Sequence, residues 1–456
     1  MEFLPEPFRT KTVERIQLLP YEQRQQKLVL AHYNVFKIAA EDIFIDLLTD
    51  SGTSAMSDNQ WAGMMIGDES YAGCRNYYTF ENTIRNITGY KNIIPVHQGR
   101  VAENLLFTNI LKEGDYVPSN THFDTTRANI EHQKAHAVDL IIDEGKYPES
   151  EFEFKGNIDL NKVEDFIRKV GPDNIPLGMM TVTNNAGGGQ PISLANIKAY
   201  SELLNKHGIP LYLDACRFAE NCYFIKHQEK EYKDWSVRKI ANEMFKYASG
   251  CTMSAKKDGL ANIGGFLATN DDRLAVKITN MLILIEGFPT YGGMAGRDLE
   301  VVARGLVEGL DDDYLQYRIE QVKCFGEMLQ EAGIPIMKPP GGHAIFVNVN
   351  SFLPGFPREK YPGWALSVAM YREGGVRASE VGSIMRGRQS DGAEKYPEME
   401  LLRLAVPRRV YSMSQLQYVV SIFRKIKDNK KLVKSLRIKW QAPVMRHFTI
   451  ELEEIS

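Results

Sequence analysis

The chain has 456 residues, with 55 basic and 58 acidic side chains and a formal net charge of −3. Apolar residues make up 43% and charged residues 25%, which is the balance of a soluble globular protein. This net charge argues against nucleic acid or an anionic membrane as a partner. Because the sequence has no long apolar run, we expect no membrane-spanning helix and no secretion signal.

The length predicts two domains, because it exceeds what one ordinary hydrophobic core holds. The first 20 residues contain three prolines and little periodicity, so we predict an N-terminal arm over 1–20. We place the N-terminal part of a small domain at 21–56, a large domain at 57–310 and the C-terminal part of the small domain at 311–456.

Helix and strand patterns alternate from about residue 80 to residue 300. In chain order they predict a helix at 101–111, a strand at 137–142, a helix at 158–170, a strand at 177–182, a helix at 194–207 and strands at 209–214, 250–253 and 264–269. This order predicts an α/β fold with a mostly parallel sheet and with its chemistry at the carboxyl ends of the strands.

The pattern changes after residue 310. A long charged helix at 313–332 precedes a strand at 343–349, a helix at 365–374 and a strand at 401–406. These elements predict a smaller α+β domain.

The five cysteines are scattered and form no C-x-x-C pair. This distribution indicates neither a zinc site nor a disulfide framework. We therefore expect a reduced, cytoplasmic protein.

Two adjacent lysines, Lys256 and Lys257, follow the predicted strand at 250–253. They are either a solvated loop pair or a reactive site in which one lysine forms a Schiff base. A Schiff base requires a neutral amine, and a neighbouring cation such as Lys256 lowers the pKa of an amine.

Asp214 ends the predicted strand at 209–214. A carboxylate in this position often caps the following helix. In a pyridoxal phosphate enzyme it would instead face the pyridine nitrogen and keep it protonated, which makes the ring an electron sink.

Three further segments suggest ligand contacts. Gly99 and Arg100 open the helix at 101–111, where free backbone N–H groups suit a phosphate. The turn that begins at Asn184 and Asn185 offers an amide to a ring oxygen or only shapes the turn. Arg403 lies inside an apolar strand and needs an anionic partner, which is either a structural carboxylate or the α-carboxylate of an amino acid.

Taken in order, these segments resemble the aspartate-aminotransferase-like fold, fold type I of the pyridoxal phosphate enzymes. They are most similar to the β-eliminating lyases, the family of the tryptophanases and tyrosine phenol-lyases. The resemblance runs almost end to end through EPFR (6–9), FIDLLTDSGT (44–53), GDESYAG (67–73), HQGR (97–100), FDTT (123–126), RFAENCYFIK (217–226), MSAKKD (253–258), EGFPTYGG (286–293) and RLAVPRR (403–409).

The resemblance implies that the large domain binds pyridoxal 5'-phosphate and that Lys257 is both the Schiff-base lysine and the base for the Cα proton. Asp214 then pairs with the pyridine nitrogen, and Phe123 stacks on the ring. The other implied cofactor residues lie at the ring hydroxyl (Asn185, Arg217), at the phosphate (Gln98, Gly99, Arg100, Ser254) or beside the reactive amine (Lys256).

The resemblance also implies an amino-acid substrate whose carboxylate Arg403 holds with help from Thr49 and Ser51. Tyr71, from a neighbouring subunit, lies near the leaving group. Gly52, Glu69 and Asn262 match positions that ligate a monovalent cation such as K⁺. The family forms a homotetramer, a dimer of dimers with shared active sites.

Three positions favour tryptophan over tyrosine as the substrate. Tyrosine phenol-lyases carry Thr, Phe and Arg where this chain has Asp124, His447 and Val381, whereas tryptophanases carry Asp, His and an aliphatic residue. Asp124 can accept the indole N–H, while a cation at position 381 would suit a phenol hydroxyl. Ser379 departs from both kinds, in which Met or Val is usual.

We therefore expect β-elimination of L-tryptophan to indole, pyruvate and ammonia, with Tyr71 and Asp124 managing the proton at the leaving carbon and His447 orienting that network. The alternatives are the tyrosine phenol-lyase reaction, an aminotransferase and a scaffold without activity.

Overall fold

The computed structural model describes residues 4–388 and 392–455. Residues 1–3 of the predicted arm, residues 389–391 and the last residue of the predicted C-terminal domain lie outside the described residues. Within these two ranges, no helix combines the length and apolarity that crossing a membrane requires.

The helices and strands alternate along most of the chain. Among the described residues the helices are α1 (Tyr21–Leu30), α2 (Asp58–Met65), α3 (Arg75–Thr88), α4 (Gly99–Ile110), α5 (Asp124–His132), α6 (Leu160–Val170), α7 (Leu194–Lys206), α8 (Phe218–Gln228), α9 (Val237–Lys246), α10 (Asp272–Ile285), α11 (Gly296–Glu308), α12 (Asp312–Glu331), α13 (Val349–Phe352), α14 (Pro362–Gly374), α15 (Ser383–Arg386) and α16 (Met413–Asp428). The strands are β1 (Ile45–Leu47), β2 (Asn92–Val96), β3 (Tyr116–Ser119), β4 (His136–Asp139), β5 (Gly178–Thr181), β6 (Leu211–Asp214), β7 (Gly250–Ser254), β8 (Gly265–Thr269), β9 (Ala344–Asn348), β10 (Val376–Val381), β11 (Leu401–Ala405), β12 (Ser435–Trp440) and β13 (Glu451–Ile455).

The chain divides into two compact units. One comprises Ser51–Lys146 and Phe152–Ile319, and the other comprises the described residues up to Asp50, the short segment Tyr147–Glu151 and the described residues from Glu320 onwards. The sequence prediction placed the corresponding boundaries at 56/57 and 310/311.

The larger unit is built on a five-stranded sheet in the order β2-β8-β7-β6-β5. β5, β6 and β7 pair in parallel, whereas β8 is antiparallel to both β7 and β2. The predicted mostly parallel sheet is therefore interrupted by one reversed strand, because β7 and β8 are joined by a loop too short for a helical crossover. All residues of β5, β6, β7 and β8 are buried, as expected for strands with helices on both faces.

Two further strands, β3 and β4, form a parallel pair in the same unit. The buried Asn120 side chain, directly after β3, donates to the Thr181 carbonyl at 3.1 Å and accepts the Thr181 backbone N–H at 3.0 Å. A buried peptide group requires hydrogen-bond partners, and at the end of β5 the Asn120 amide provides them in place of a neighbouring strand.

The smaller unit contains a four-stranded sheet in the order β1-β10-β11-β9 and a hairpin of β12 and β13. β1 is parallel to β10, and the other pairings in this sheet are antiparallel. Every residue of α14 is buried, and the helix packs with α16 and the sheet around one hydrophobic core. This unit has the α+β composition that the sequence predicted.

Candidate active site

A polar pocket lies at the carboxyl ends of β6 and β7 in the larger unit. Its walls include both signs of charge and come from the loops that follow these strands and from the starts of α4 and α5. The lining residues are Ser51, Gln98, Gly99, Arg100, Glu103, Phe123, Thr125, Asp214, Cys216, Ser254, Lys256 and Lys257.

Asp214 and Lys257 meet in this pocket because their strands are neighbours. Asp214 is the last residue of β6 and lies opposite Thr252 of β7 in the parallel register. Lys257 follows the end of β7 at Ser254. Parallel neighbours end at the same edge of a sheet, so an acid and an amine far apart in sequence face one cavity, as the cofactor hypothesis requires.

The loop that carries the two lysines is fixed by the next residue, Asp258. Its buried carboxylate accepts the backbone N–H groups of Ala219 at 2.8 Å and Glu220 at 3.1 Å. These are free N–H groups in the first turn of α8, which favour a negative charge. Asp258 thereby anchors the loop from which Lys257 lines the pocket.

The two lysines interact electrostatically. Burial, and then the charges of Lys257 and Arg100, lower the pKa of Lys256. Lys257 Nζ lies 3.9 Å from Cys216 Sγ, and the same sulfur accepts the Ser254 backbone N–H at 3.4 Å. The amine of Lys257 therefore lies near a thiol and interacts electrostatically with a second cation.

The start of α4 forms an anion cradle with Ser254. A Cβ atom on Gly99 would lie 2.7 Å from Ser254 Cβ and 3.0 Å from Ser254 N, so only glycine permits this approach. Gln98 precedes the helix and forms an isolated parallel β-bridge with Gly264. The unsatisfied N–H groups of the helix start, together with exposed Arg100, suit a phosphate.

Three more predicted cofactor residues surround the same strand ends. Phe123 precedes α5 and lines the pocket. Arg217 precedes α8 and is buried. Its backbone N–H donates to the Val182 carbonyl at 3.1 Å, and this hydrogen bond joins the segments that follow β5 and β6. Asn185 is buried in the turn that follows β5.

The residues present fit pyridoxal phosphate. The cradle at Gly99 can bind a phosphate, and the Lys257 amine can react with an aldehyde. The Asp214 carboxylate can pair with a ring nitrogen, and the Phe123 ring can stack on a flat heterocycle. These groups converge on one cavity although they come from separate segments of the chain.

The predicted substrate residues fall in both units. Ser51 lines the pocket, and Thr49 is half-buried after β1. Arg403 lies in β11 opposite Ser379 of β10, and its Nη2 donates to the Leu48 carbonyl at 3.1 Å. Arg403 is thus tied to the strand segment that leads to Thr49 within its own unit.

The residues predicted near the leaving group also lie apart in the chain. Asp124 is the first residue of α5, and its carboxylate accepts the Thr125 backbone N–H at 2.7 Å. Tyr71 is 70% exposed and packs on Phe288 and Tyr291. A hydrogen bond with Tyr291 raises the pKa of Tyr71.

The two remaining specificity residues belong to the smaller unit. His447 lies in the short 3₁₀ helix Arg446–Phe448, is 2% exposed and contacts the Phe36 and Phe448 rings. Val381 ends β10 and is buried.

Two of the three predicted cation ligands are adjacent. The Asn262 amide donates to the Gly52 carbonyl at 3.0 Å, and the backbone N–H of Gly52 donates to the Lys256 carbonyl at 2.7 Å. The Glu69 carboxylate instead accepts the backbone N–H groups of Gly296 at 2.7 Å and Arg297 at 3.1 Å at the start of α11.

Sequence reasoning missed Glu103, Thr125 and Cys216 as pocket residues and Asp258 as the anchor of the lysine loop. Glu103 lies one helical turn after Gly99, on the same face of α4, which is the pattern that identifies it. Cys216 follows Asp214 by two positions at the strand end. Only long-range contacts reveal Asp258.

A sequence model of the β-eliminating lyase family matches residues 46–421. The chain is 53% identical to a tryptophanase of Salinibacter ruber, over 99% of this chain and 96% of that protein. It is 51% identical to a tryptophanase of Hyphomonas neptunium over all of both chains, and 48% identical to a tyrosine phenol-lyase of Lacrimispora saccharolytica over 99% and 97%.

Two solved structures share the fold at low sequence identity. A serine palmitoyltransferase of Sphingomonas wittichii superposes with a TM-score of 0.56 at 12% identity, over 85% of this chain and 88% of that chain. A SepCysS chain in complex with the N-terminal domain of SepCysE gives 0.55 at 15% identity, over 85% and 95%. These likenesses confirm the predicted aspartate-aminotransferase-like α/β fold.

Proposed function

Because the chain belongs to the β-eliminating lyase family, we propose that it is a carbon–carbon lyase that uses pyridoxal 5'-phosphate to cleave L-tryptophan into indole, pyruvate and ammonia. The observation that carries this proposal is the convergence of Lys257, Asp214 and the Gly99 cradle on one pocket. The names of the tryptophanase relatives support the choice of reaction.

Most of the predicted cofactor residues have a defined task in this proposal. Bound pyridoxal phosphate supplies an electron-withdrawing ring that stores the charge released when the substrate Cα loses its proton. Lys257 carries the cofactor and, when freed by the substrate, its amine accepts that proton. The carboxylate of Asp214 holds a proton on the ring nitrogen, and the start of α4 with Arg100 and Ser254 binds the phosphate.

The ring itself is held by three further residues. Phe123 stacks against its face, while Asn185 and Arg217 hydrogen-bond its hydroxyl group. These contacts orient the cofactor, which fixes the position of the reacting carbon relative to Lys257.

The substrate residues complete the assignment. Arg403, with Thr49 and Ser51, binds the α-carboxylate, because a guanidinium binds a carboxylate through two parallel hydrogen bonds. Carbon is a poor leaving group, so indole must gain a proton at its ring carbon before the bond to the side chain breaks. Tyr71 and Asp124 move that proton, and His447 orients them.

The choice of tryptophan depends on particular residues, because the identities to the two kinds of lyase are close. Asp124 accepts a hydrogen bond from the indole N–H. Val381 is apolar, so no cation is present there to hold a phenol hydroxyl. His447 stands where the phenol-lyases have Phe.

We also propose a monovalent cation such as K⁺ at Gly52, Glu69 and Asn262, and a cytoplasmic homotetramer that is a dimer of dimers with shared active sites. The closeness of Asn262 to Gly52 supports the first assignment. The high exposure of Tyr71 supports a role for this residue in the site of a neighbouring subunit.

The test is a product assay with purified protein, pyridoxal phosphate and potassium. Incubation with L-tryptophan should release indole and pyruvate together, and incubation with L-tyrosine should release much less phenol. Phenol as the main product would favour tyrosine phenol-lyase activity, for which the 48% identical relative is the supporting observation. Transfer of the amino group to a 2-oxo acid without indole release would contradict both.

Two variants sharpen this assay. Asp124→Thr and Val381→Arg each introduce the residue expected of a phenol-lyase, so each should lower indole release relative to phenol release. Val410→Arg serves as a control, because Val410 is an exposed valine of the same unit as Val381.

A further inference from the structure

Glu103 is a buried acid that the proposed reaction does not use. It lies on α4 one turn after Gly99, is 6% exposed and lines the pocket. Burial of a carboxylate is costly unless hydrogen bonds or charges compensate it. The contacts of the Glu103 carboxyl therefore indicate which role compensates for the cost of its burial.

The Glu103 carboxyl accepts hydrogen bonds from α5. Oε1 accepts from the Thr126 hydroxyl at 2.7 Å, and Oε2 accepts from the Asn129 amide at 3.4 Å. Asn129 also donates to the Thr125 carbonyl at 3.0 Å and accepts from Asn104 of α4 at 3.1 Å. This network fastens the first turn of α5 to α4.

The first turn of α5 carries two residues of the proposed site. Phe123 precedes the helix and Asp124 opens it. Since α4 provides the phosphate cradle at its N-terminus, Glu103 fixes the aromatic ring and the acid relative to that cradle.

The charged groups around Glu103 are those of the pocket. Asp214 approaches from β6 and Lys257 from the loop after β7, while Arg100 on its own helix and Lys256 line the same cavity. Burial and then the Asp214 charge raise the pKa of Glu103 to about 7, against the opposing effects of the Thr126 and Thr125 hydroxyls and of Lys257. A pKa near this value allows both the protonated and the ionised form of Glu103 close to neutral pH.

We propose that Glu103 is a positioning residue of the cofactor pocket, whose carboxyl holds α5 against α4 and whose ionisation sets the negative charge beside Asp214. This inference rests on the proposed function. An ionised Glu103 adds a second negative charge near the ring nitrogen and favours a proton there, whereas a protonated Glu103 leaves Asp214 to hold that proton alone.

Two variants separate the tether from the charge. Glu103→Gln keeps the size and a carbonyl acceptor for Thr126 but removes the ionisation. Thr126→Val removes the 2.7 Å hydrogen bond and keeps the acid. Glu131→Gln is the matched control, because Glu131 is an exposed acid on α5.

The experiment records the visible absorbance of the bound cofactor in the holoenzyme between about pH 6 and about pH 9, a range that brackets neutral titration. The wild type and Glu131→Gln should show a spectral transition near the pKa of Glu103. Glu103→Gln should lose this transition. Thr126→Val should shift its midpoint to higher pH, because the lost hydrogen bond stabilised the charged form.

Hydrogen exchange of the α5 backbone amides, measured on the same proteins without substrate, tests the tether. Thr126→Val should speed exchange in the first turn of α5, and Glu103→Gln should do so less. The same transition and midpoint in Glu103→Gln and Thr126→Val as in the wild type would overturn the proposal. Should Glu103→Gln fail to fold, the Thr126→Val midpoint alone decides.

Failure of this inference differs from failure of the proposed function. A wild-type protein that develops no visible absorbance with pyridoxal phosphate contradicts the proposed function and removes this inference with it. A coloured wild type whose spectrum does not respond to Glu103→Gln contradicts this inference alone.

Discussion

The two units bury acidic side chains in two different ways. In the larger unit Asp214 and Glu103 share a pocket with Lys256 and Lys257, so negative and positive side chains face one cavity. In the smaller unit Glu380 and Glu400 are a pair of like acids. The mixed charges of the larger unit can act on a ligand, whereas the two like acids of the smaller unit are stable together only if one of them stays uncharged.

The acid pair of the smaller unit is held mainly by backbone groups. Glu380 accepts the N–H groups of Ile384 at 2.8 Å and Met385 at 3.1 Å, and Glu400 accepts the N–H at 3.0 Å and the hydroxyl at 2.7 Å of Ser383. Burial and the neighbouring Glu400 raise the pKa of Glu380 well above its ordinary value. One shared proton between the two carboxyls avoids two buried negative charges.

The difference shows that a buried acid by itself does not identify a catalytic site. Each pair has low exposure and contains one acid whose pKa is raised, Glu103 in the larger unit and Glu380 in the smaller unit. Only the pair of Asp214 and Glu103 also shares a cavity with an amine and an anion cradle, so the neighbouring groups and the cavity distinguish the candidate active site from the structural acid pair.

The largest effect should come from removing the charge of Asp214. Asp214→Asn keeps the shape of the side chain but cannot hold a proton on the ring nitrogen, so indole release should fall on the order of 10²–10³-fold. The visible absorbance of the bound cofactor should remain, because Lys257 is intact. Asp173→Asn, an exposed acid of the same unit, should change neither quantity, and full activity of Asp214→Asn would contradict the proposed pairing.

A smaller effect is expected at Arg403. Arg403→Lys keeps the positive charge but loses the two parallel hydrogen bonds to a carboxylate, so KM for L-tryptophan should rise about 10- to 100-fold with a smaller change in kcat. Steady-state kinetics measure both. Arg424→Lys, on the exposed face of α16, is the control, and an unchanged KM for Arg403→Lys would assign this arginine a purely structural role.

The smallest effect on activity, and a clear one on stability, should come from Glu380→Gln. In the wild type the unfolded chain loses the Glu380 proton above its ordinary pKa of 4.5, while the folded chain retains it. The free energy of unfolding should therefore fall as the pH rises, by up to about 1.4 kcal/mol per pH unit for one proton. Above the raised folded pKa this dependence ends.

Urea unfolding at several pH values measures this dependence. Glu380→Gln should flatten it, and Glu398→Gln, an exposed acid shortly before β11, should leave it as in the wild type. An unchanged slope in Glu380→Gln would show that the acid pair does not share a proton.

The sequence predicted most of the alternating elements of the larger unit, because their buried strands and amphipathic helices have clear periods. It did not predict the reversed direction of β8, since periodicity carries no information on strand direction. The hairpin of β12 and β13 was also missed, because β12 is largely exposed and lacks a continuous apolar run.

The candidate site was predicted where a residue stands at a strand end or helix start. Asp214, Lys257 and Gly99 all have such positions. Asp258 was missed because it acts through a contact with α8, which no local pattern encodes. The helical spacing from Gly99 places Glu103 on the pocket face of α4, but no local pattern encodes its contacts with α5.

The central claim is that the amine of Lys257 carries the cofactor. Borohydride reduction of the holoenzyme fixes a pyridoxyl group on the lysine that holds it, and fragmentation of the peptide that spans Lys256 and Lys257 locates the added mass. The account predicts that the label is on Lys257. A label on Lys256, on another lysine or on none would contradict it.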